Sequence, residues 1–385
     1  MSGGTSDDTR EIAASARRIV VLRANGIGDL VMALPAIESL RAAFPAAEIT
    51  LLGAPAHRGL ADALIGVDRL EIVPPYPGVT VGEDRSVPPR EYEPFLTSMR
   101  RRSFDLALQM HGGGRYSNRL VGELGARSTV GFRTPDAPSL DVNVPYVYFQ
   151  HEVMRYLELV EVLGVRPTTW QPRIQPSADH IAESLASMPE TRAPLVVIHP
   201  GNGAVRRRWP AERFARVGDE FAGRGAAVVV IGTREERDLA ATVARGMRHR
   251  VRVCAGELTL GGVAGLLSRA AMLVASEGGV LHLGVAAGVP TVGIYSGPGF
   301  AMFAPFQRRH HRVQVSWRDT CPVCGAPPAP ADHYWNGITN GCGHEVSWVA
   351  DVSLEEVLDA ATDLWDVESA THFGQPLTGS VDSPR

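Results

Sequence analysis

One pattern restricts the fold of this chain more than any other. A short, continuously apolar run ends in a glycine turn and is followed by a helical pattern. The unit opens each half: Arg18–Leu22 runs into Asn25-Gly26-Ile27-Gly28, and Leu195–His199 runs into Pro200-Gly201-Asn202-Gly203. Runs this short and this uniformly apolar have no wet face, so they belong in a parallel sheet covered on both sides by helices. Further runs at 48–55, 69–78, 104–114, 128–133 and 142–147 extend the first half, which closes on a helix at 151–165. In the second half, helices at 211–223, 234–246, 260–269 and 281–287 alternate with strands at 226–232, 250–256, 271–276 and 291–296. Residues 74–94, with several prolines and charges, read as a long loop. Pro35 should kink the first helix or displace its start.

The pattern predicts two doubly wound α/β domains facing a central cleft. In such sheets ligands sit beyond the carboxyl ends of the strands. The expected organisation is a disordered 1–16, a first domain over 17–170, and a linker over 171–193 holding one helix at Ala178–Ser187. A second domain follows over 194–350, carrying a Cys-rich loop at 317–345. A final helix at 351–366 precedes a disordered tail at 367–385.

Composition removes other chemistries. All 38 basic residues among the 385 are arginine. A lysine Schiff base, a Walker-A lysine and a kinase strand lysine are therefore excluded. An anion can be gripped only by arginine, backbone N–H groups or helix ends. A net charge of −4 supports neither a nucleic-acid nor a membrane-surface role. No apolar run reaches the roughly 18 residues of a spanning helix. The polar N-terminus lacks the core of a signal peptide, so a cytoplasmic protein is expected.

The loops that follow the strands hold the reactive residues. Gly26 and Gly28 permit a tight turn before Asp29, a carboxylate suited either to an N-cap or to general-base work. The loop half-matches a dinucleotide fingerprint. Its third glycine is missing and the second strand ends without an acid for ribose, which argues against a nicotinamide enzyme. Arg206, Arg207 and Arg208 precede Trp209-Pro210 and suit a phosphate clamp. Glu235 and Glu236 open a helix. Glu277-Gly278-Gly279 places backbone N–H groups where a diphosphate could meet them, with His282 on the first turn. His111 and Arg115 lie in a glycine-rich turn at the cleft.

Taken in order, GxGDL at 26–30, HPG at 199–201, RxWP at 207–210 and EGGxxH at 277–282 resemble glycosyltransferase family 9, the heptosyltransferases of the GT-B fold. The resemblance covers roughly residues 18–310. It implies two Rossmann-like domains and inverting transfer of a sugar from a nucleotide diphosphate, ADP-heptose first among donors, without a catalytic metal. Asp29 matches the family's general base. Asn202, Arg207, Glu235 or its neighbour Glu236, Glu277, Gly278, Gly279 and His282 fall to the donor, and Gly28, His111 and Arg115 to the acceptor or sugar. Two positions depart from the family pattern. Arg207 stands where lysine is usual, and Glu277-Gly278 stands where Asp-Ser/Thr is usual. The acceptor, a hydroxyl or amine, could belong to lipopolysaccharide core or to a small secondary metabolite. A GT-B nucleotide-sugar epimerase and a non-catalytic nucleotide-sugar-binding protein are the competing classes.

The cysteines read separately. Cys321-x-x-Cys324 and Cys342-x-His344 have the spacing of a Cys₃His structural zinc site, with His333 a rival fourth ligand and reduced thiols in a lid loop the plain alternative. Cys254, at the end of a strand, is expected in the core.

Overall fold

The computed structural model describes Thr9, Ile12, residues 15–326 and residues 342–373. The first half forms a parallel sheet from β1 (Arg18–Leu22), β2 (Glu48–Gly53), β3 (Arg69–Ile72), β4 (Leu106–Gln109), β5 (Ser128–Arg133) and β6 (Val142–Pro145), ordered β3-β2-β1-β4-β5-β6. The second uses β7 (Leu195–His199), β8 (Ala227–Gly232), β9 (Arg252–Ala255), β10 (Met272–Ser276), β11 (Thr291–Ser296) and β12 (His311–Ser316), ordered β12-β11-β10-β7-β8-β9. Strand order reverses between β1 and β4 in one sheet and between β7 and β10 in the other. The loops after these four strands therefore flank the two switch-point crevices.

The helices are α1 (Ile27–Ala43), α2 (Pro89–Arg101), α3 (Ser117–Glu123), α4 (Glu152–Glu161), α5 (Ala178–Ser187), α6 (Ala211–Gly223), α7 (Arg237–Gly246), α8 (Leu260–Leu267), α9 (Gly279–Ala287), α10 (Gly297–Phe303) and α11 (Leu354–Phe373). Every residue of α1 from Leu30 to Leu40 is buried. That suits its sequence, which is apolar all round rather than along one stripe. The helix lies between its own sheet and α9 of the other half, and one apolar cluster runs through both halves from Ile19 and Val21 to Leu281 and Leu283.

The structure departs from the sequence expectations at several points along the chain. α1 runs through Pro35 instead of starting there, and Ser39 Oγ donates to the Pro35 carbonyl at 2.7 Å. α2 occupies the end of the stretch read as a loop at 74–94, and α3 lies within the glycine-rich turn that begins at His111. β12 was not anticipated. Its side chains are half-buried, so it lacks the uniform apolar run of the other strands. Residues 171–193, expected as the linker, are docked against both halves. Ile174 N donates to Ala286 O at 3.0 Å, Gln175 N to Ala63 O at 2.9 Å, and Thr259 N to Glu183 of α5 at 2.6 Å. Finally, α11 continues past 366 to Phe373, with the Glu368 carboxylate 2.7 Å from His310 Nδ1.

At the N-terminus, Thr9 is buried with its hydroxyl 3.1 Å from Ser128 Oγ, against the expectation of disorder over 1–16. The rest of residues 1–14, and 374–385 of the expected tail, lie outside the described residues. Among the described residues no helix is long and apolar enough to cross a membrane.

Candidate active site

The loop after β1 is built around a buried cation. Arg23 is 3% exposed. Its guanidinium pairs with Asp29 Oδ1 at 2.9 Å and Glu152 Oε2 at 3.4 Å, donates to Met110 O at 2.8 Å and lies 5.0 Å from the Tyr156 ring centroid. Burial alone would lower its pKa, but the electrostatics of Tyr156, Asp29 and Glu152 outweigh that and push it up, so Arg23 stays charged. Behind it, Glu152 pairs with Arg155 at 2.9 Å and accepts from the Tyr156 hydroxyl. None of these four residues was singled out from the sequence. The one available signal was an arginine at the end of an apolar strand, a position that needs buried partners.

Asp29 is not the N-cap. Gly26 is, and Asp29 sits three residues in, accepting from Gly26 N at 3.1 Å through Oδ2. Arg23 and this backbone N–H fix both carboxylate oxygens, while the side chain stays 34% exposed and open to the cleft. Two histidines secure the rest of the loop. His111 Nδ1 accepts from Ala24 N at 3.2 Å, and burial, with Arg23 nearby, pushes that imidazole down to about 3, which keeps it neutral. His57 holds Asn25 O at 3.0 Å through Nε2. His111 thus commits Nδ1 to the backbone of this loop.

The second half supplies groups that could bind an anion. Glu277, at the end of β10, is 2% exposed. It lies 3.4 Å from Arg207 Nη1 and 3.5 Å from His282 Nε2. Burial would raise its carboxyl, but Arg207 and His282 outweigh burial and hold it below the usual range, so it is an anion. Asn202 donates to the Glu277 carbonyl, and its own Oδ1 accepts from Ala204 N at 2.9 Å. Arg208 Nε donates to Asn202 O at 2.8 Å, and Trp209 N to Ser276 Oγ at 3.0 Å. The arginine loop is thereby tied to the end of β10. Behind it, Trp348 N donates to Arg206 O at 2.7 Å, and the Arg206 guanidinium lies 5.7 Å from the Trp348 ring.

The halves meet at two glycines. A Cβ on Gly28 would come 2.7 Å from His282 Cδ2, and one on Gly279 would come 3.3 Å from Ile27 Cβ. Glycine at 28 is required for α1 and α9 to start side by side. Their positive ends and free N–H groups then face one crevice, a suitable place for a diphosphate.

Two of the residues expected to make contacts, Glu235 and Arg115, are exposed. Glu235 is exposed, whereas Glu236 lies 3.4 Å from His199 Nε2 and accepts from Thr233 N at 2.9 Å. The hydrogen bond from His199 holds Glu236 down to about 2, against burial. Glu236, not Glu235, is the acid that faces the loop after β7. Arg115 is 60% exposed and pairs with Glu83 and Asp136 at 3.6 and 3.5 Å, in the loops beyond the crevice.

The cysteines converge. One ligand atom each from Cys321, Cys324, Cys342 and His344 lie within 4.8 Å of one another. Cys324 Sγ is 3.5 Å from Cys342 Sγ, and His344 Nδ1 is 3.3 Å from Cys342 Sγ and 3.8 Å from Cys321 Sγ. A tetrahedron with zinc–sulfur bonds of about 2.3 Å has edges of roughly 3.7 Å, so the set is close to metal-binding geometry. His333 lies outside the described residues. Cys254 is buried on β9.

Two parallel sheets of this order, touching through the loops after β1 and β10 around a carboxylate and an anion crevice, define the GT-B class. The family model for glycosyltransferase family 9 (heptosyltransferase) matches residues 94–322. The chain belongs to that family. It is 25% identical over 146 residues to lipooligosaccharide heptosyltransferase 2 of Haemophilus ducreyi, a match that spans 35% of this chain and 42% of that relative's length. Among solved structures, a family 9 glycosyl transferase from Veillonella parvula superposes with a TM-score of 0.72 at 23% identity, covering 91% of this chain and 97% of the other. The ADP-heptose lipopolysaccharide heptosyltransferase II of E. coli superposes at 0.71 and 18% identity, covering 92% and 100%.

Proposed function

We propose that the protein is an inverting glycosyltransferase that moves a heptose from ADP-heptose to an acceptor hydroxyl, with Asp29 as general base and no catalytic metal. One observation carries the reading: the partly exposed Asp29 carboxylate lies one residue from Gly28, which touches His282 of the anion crevice. In the reaction, Asp29 takes the acceptor proton as the acceptor oxygen attacks the anomeric carbon. The bond from that carbon to the diphosphate oxygen breaks, and its electron pair leaves with ADP. Arg207 and the N–H groups that begin α9 hold the charge that develops on the diphosphate. Glu277, already an anion between Arg207 and His282, orients both. Glu236 is placed for the ribose hydroxyls, beside the loop after β7.

Incubation with ADP-heptose and no acceptor tests the class. A transferase releases ADP and heptose slowly, water taking the acceptor's place, and leaves the remaining donor unchanged. Accumulation of an isomeric ADP-sugar would instead mark an epimerase. Binding of donor without any turnover would mark a non-catalytic protein.

Arginine at 207 has its own expected result. Its fork can meet two phosphate oxygens at once, which lysine cannot do. Arg207→Lys should weaken ADP binding several-fold in a calorimetric titration. Unchanged affinity would mean that only the charge matters there.

The Cys₃His cluster is proposed as a structural metal site, with zinc as the occupant. Burial would raise the Cys321 thiol, but the Cys324 and Val323 N–H groups and the neighbouring thiols pull it down to about 6, towards the thiolate a metal requires. Elemental analysis of the purified chain should find one zinc per protein and far less in Cys321→Ser. Zinc well below stoichiometry, or iron in its place, would contradict the assignment.

A further inference from the structure

A cavity of about 310 Å³ opens between the two halves, with His282 but not Glu277 in its wall. Its walls include Met32, Trp170, His282, Val285, Phe303 and Phe306. They come from α1, the segment joining the halves, α9 and the end of α10. Among the described residues, no arginine, aspartate or glutamate lines it. The volume falls within the range of pockets that hold small organic ligands.

Two features separate this cavity from a packing defect. First, its rim is aromatic and exposed. Trp170 is 52% exposed and Phe306 47%, their rings meet edge to face at 6.3 Å, and the His151 ring lies 4.2 Å from Phe306. Large aromatic side chains left in solvent around a concave opening mark a binding surface. Second, the wall holds an unsatisfied polar group. His282 is 2% exposed, and its Nδ1 has no hydrogen-bond partner. Nε2 faces Glu277 and Cδ2 faces Gly28, while the ring centroid lies 5.4 Å from that of Phe303, another wall of the cavity. With the ring proton on the Nε2 that faces Glu277, Nδ1 is an acceptor for one hydroxyl. His151 Nε2 is occupied by Ala304 O at 2.9 Å, and its Nδ1 also has no partner.

We infer that this cavity binds the uncharged, aromatic or otherwise apolar body of the acceptor, with one hydroxyl held by His282. The acceptor role rests on the transferase reading above; the existence of the site does not. Met32 lies one helical turn beyond Asp29 on α1, so a ligand seated here lies along the same helix as the base. A phosphorylated or carboxylated sugar core does not suit the cavity. The cations it would need lie in the donor crevice, and here its charge would be buried without a partner.

A neutral aromatic alcohol, 2-naphthol, tests the inference on the full-length protein by calorimetry, with ADP titrated separately. One saturable site is expected. Trp170→Ala should weaken 2-naphthol at least fivefold and leave ADP affinity unchanged, which also shows that the variant is folded. Val285→Phe, which fills the cavity, should abolish 2-naphthol binding. Glucose 6-phosphate should not displace it. No saturable binding, equal binding in both variants, or displacement by glucose 6-phosphate would overturn the inference. If 2-naphthol binds as expected but ADP does not bind the wild type, the transferase reading fails and the cavity remains a ligand site.

Discussion

Asp29→Asn is expected to reduce turnover of ADP-heptose by about 10²–10⁴-fold while leaving ADP affinity close to that of the wild type. The substitution keeps the size of the side chain and removes its capacity to take a proton. Asn Oδ1 can still accept from Arg23 or from Gly26 N, so the start of α1 should persist. Glu152 and the Met110 carbonyl remain to hold Arg23. The loss should therefore fall on the chemical step, and acceptor-free donor hydrolysis reads it without knowledge of the acceptor. Retained turnover would remove Asp29 from the role of base. Loss of both turnover and ADP binding would mean that the residue is structural.

Arg23→Met is expected to cost about 3–5 kcal/mol of stability, the penalty for breaking a buried ion pair from one side. This guanidinium serves the Asp29 and Glu152 carboxylates, the carbonyls of Asp29 and Met110, and Asn25 Oδ1. Met fills much of the volume but satisfies none of them. Arg115→Met is the matched control. That side chain is 60% exposed, and surface pairs of this kind contribute little. Thermal melts of the two variants should separate clearly, with Arg23→Met well below the wild type and Arg115→Met beside it. Equal melting of both would show that the buried network around Arg23 contributes nothing to the fold.

Much of the architecture was legible because uniform burial writes uniform sequence. β1, β4, β7 and β10 are fully or almost fully buried, and their apolar runs marked both switch points and the loops behind them. β12 escaped because half-burial gives no such run. α1 was harder to bound, since a helix buried all round shows no stripe and Pro35 suggested a break that tertiary packing overrides. At the site, the loop residues Asp29, Asn202, Arg207, Glu277 and His282 stood out by type and position. Which of two adjacent acids turns inward did not: Glu235 and Glu236 are neighbours in the turn just before α7, and only packing against His199 selects Glu236. Arg23 was illegible for a related reason. Its pairing with Glu152 joins positions more than a hundred residues apart, and no local spacing records it.

The central claim is that the crevice between α1 and α9 grips a nucleotide diphosphate through Arg207, separately from the base at Asp29. Calorimetric titration of ADP into the wild type, Arg207→Ala and Asp29→Asn tests it most directly. A charge-assisted contact contributes about 1.5–3 kcal/mol, so Arg207→Ala should weaken ADP by at least roughly tenfold. Asp29→Asn should match the wild type. Failure of the wild type to bind ADP, or equal affinity in Arg207→Ala, would contradict the account.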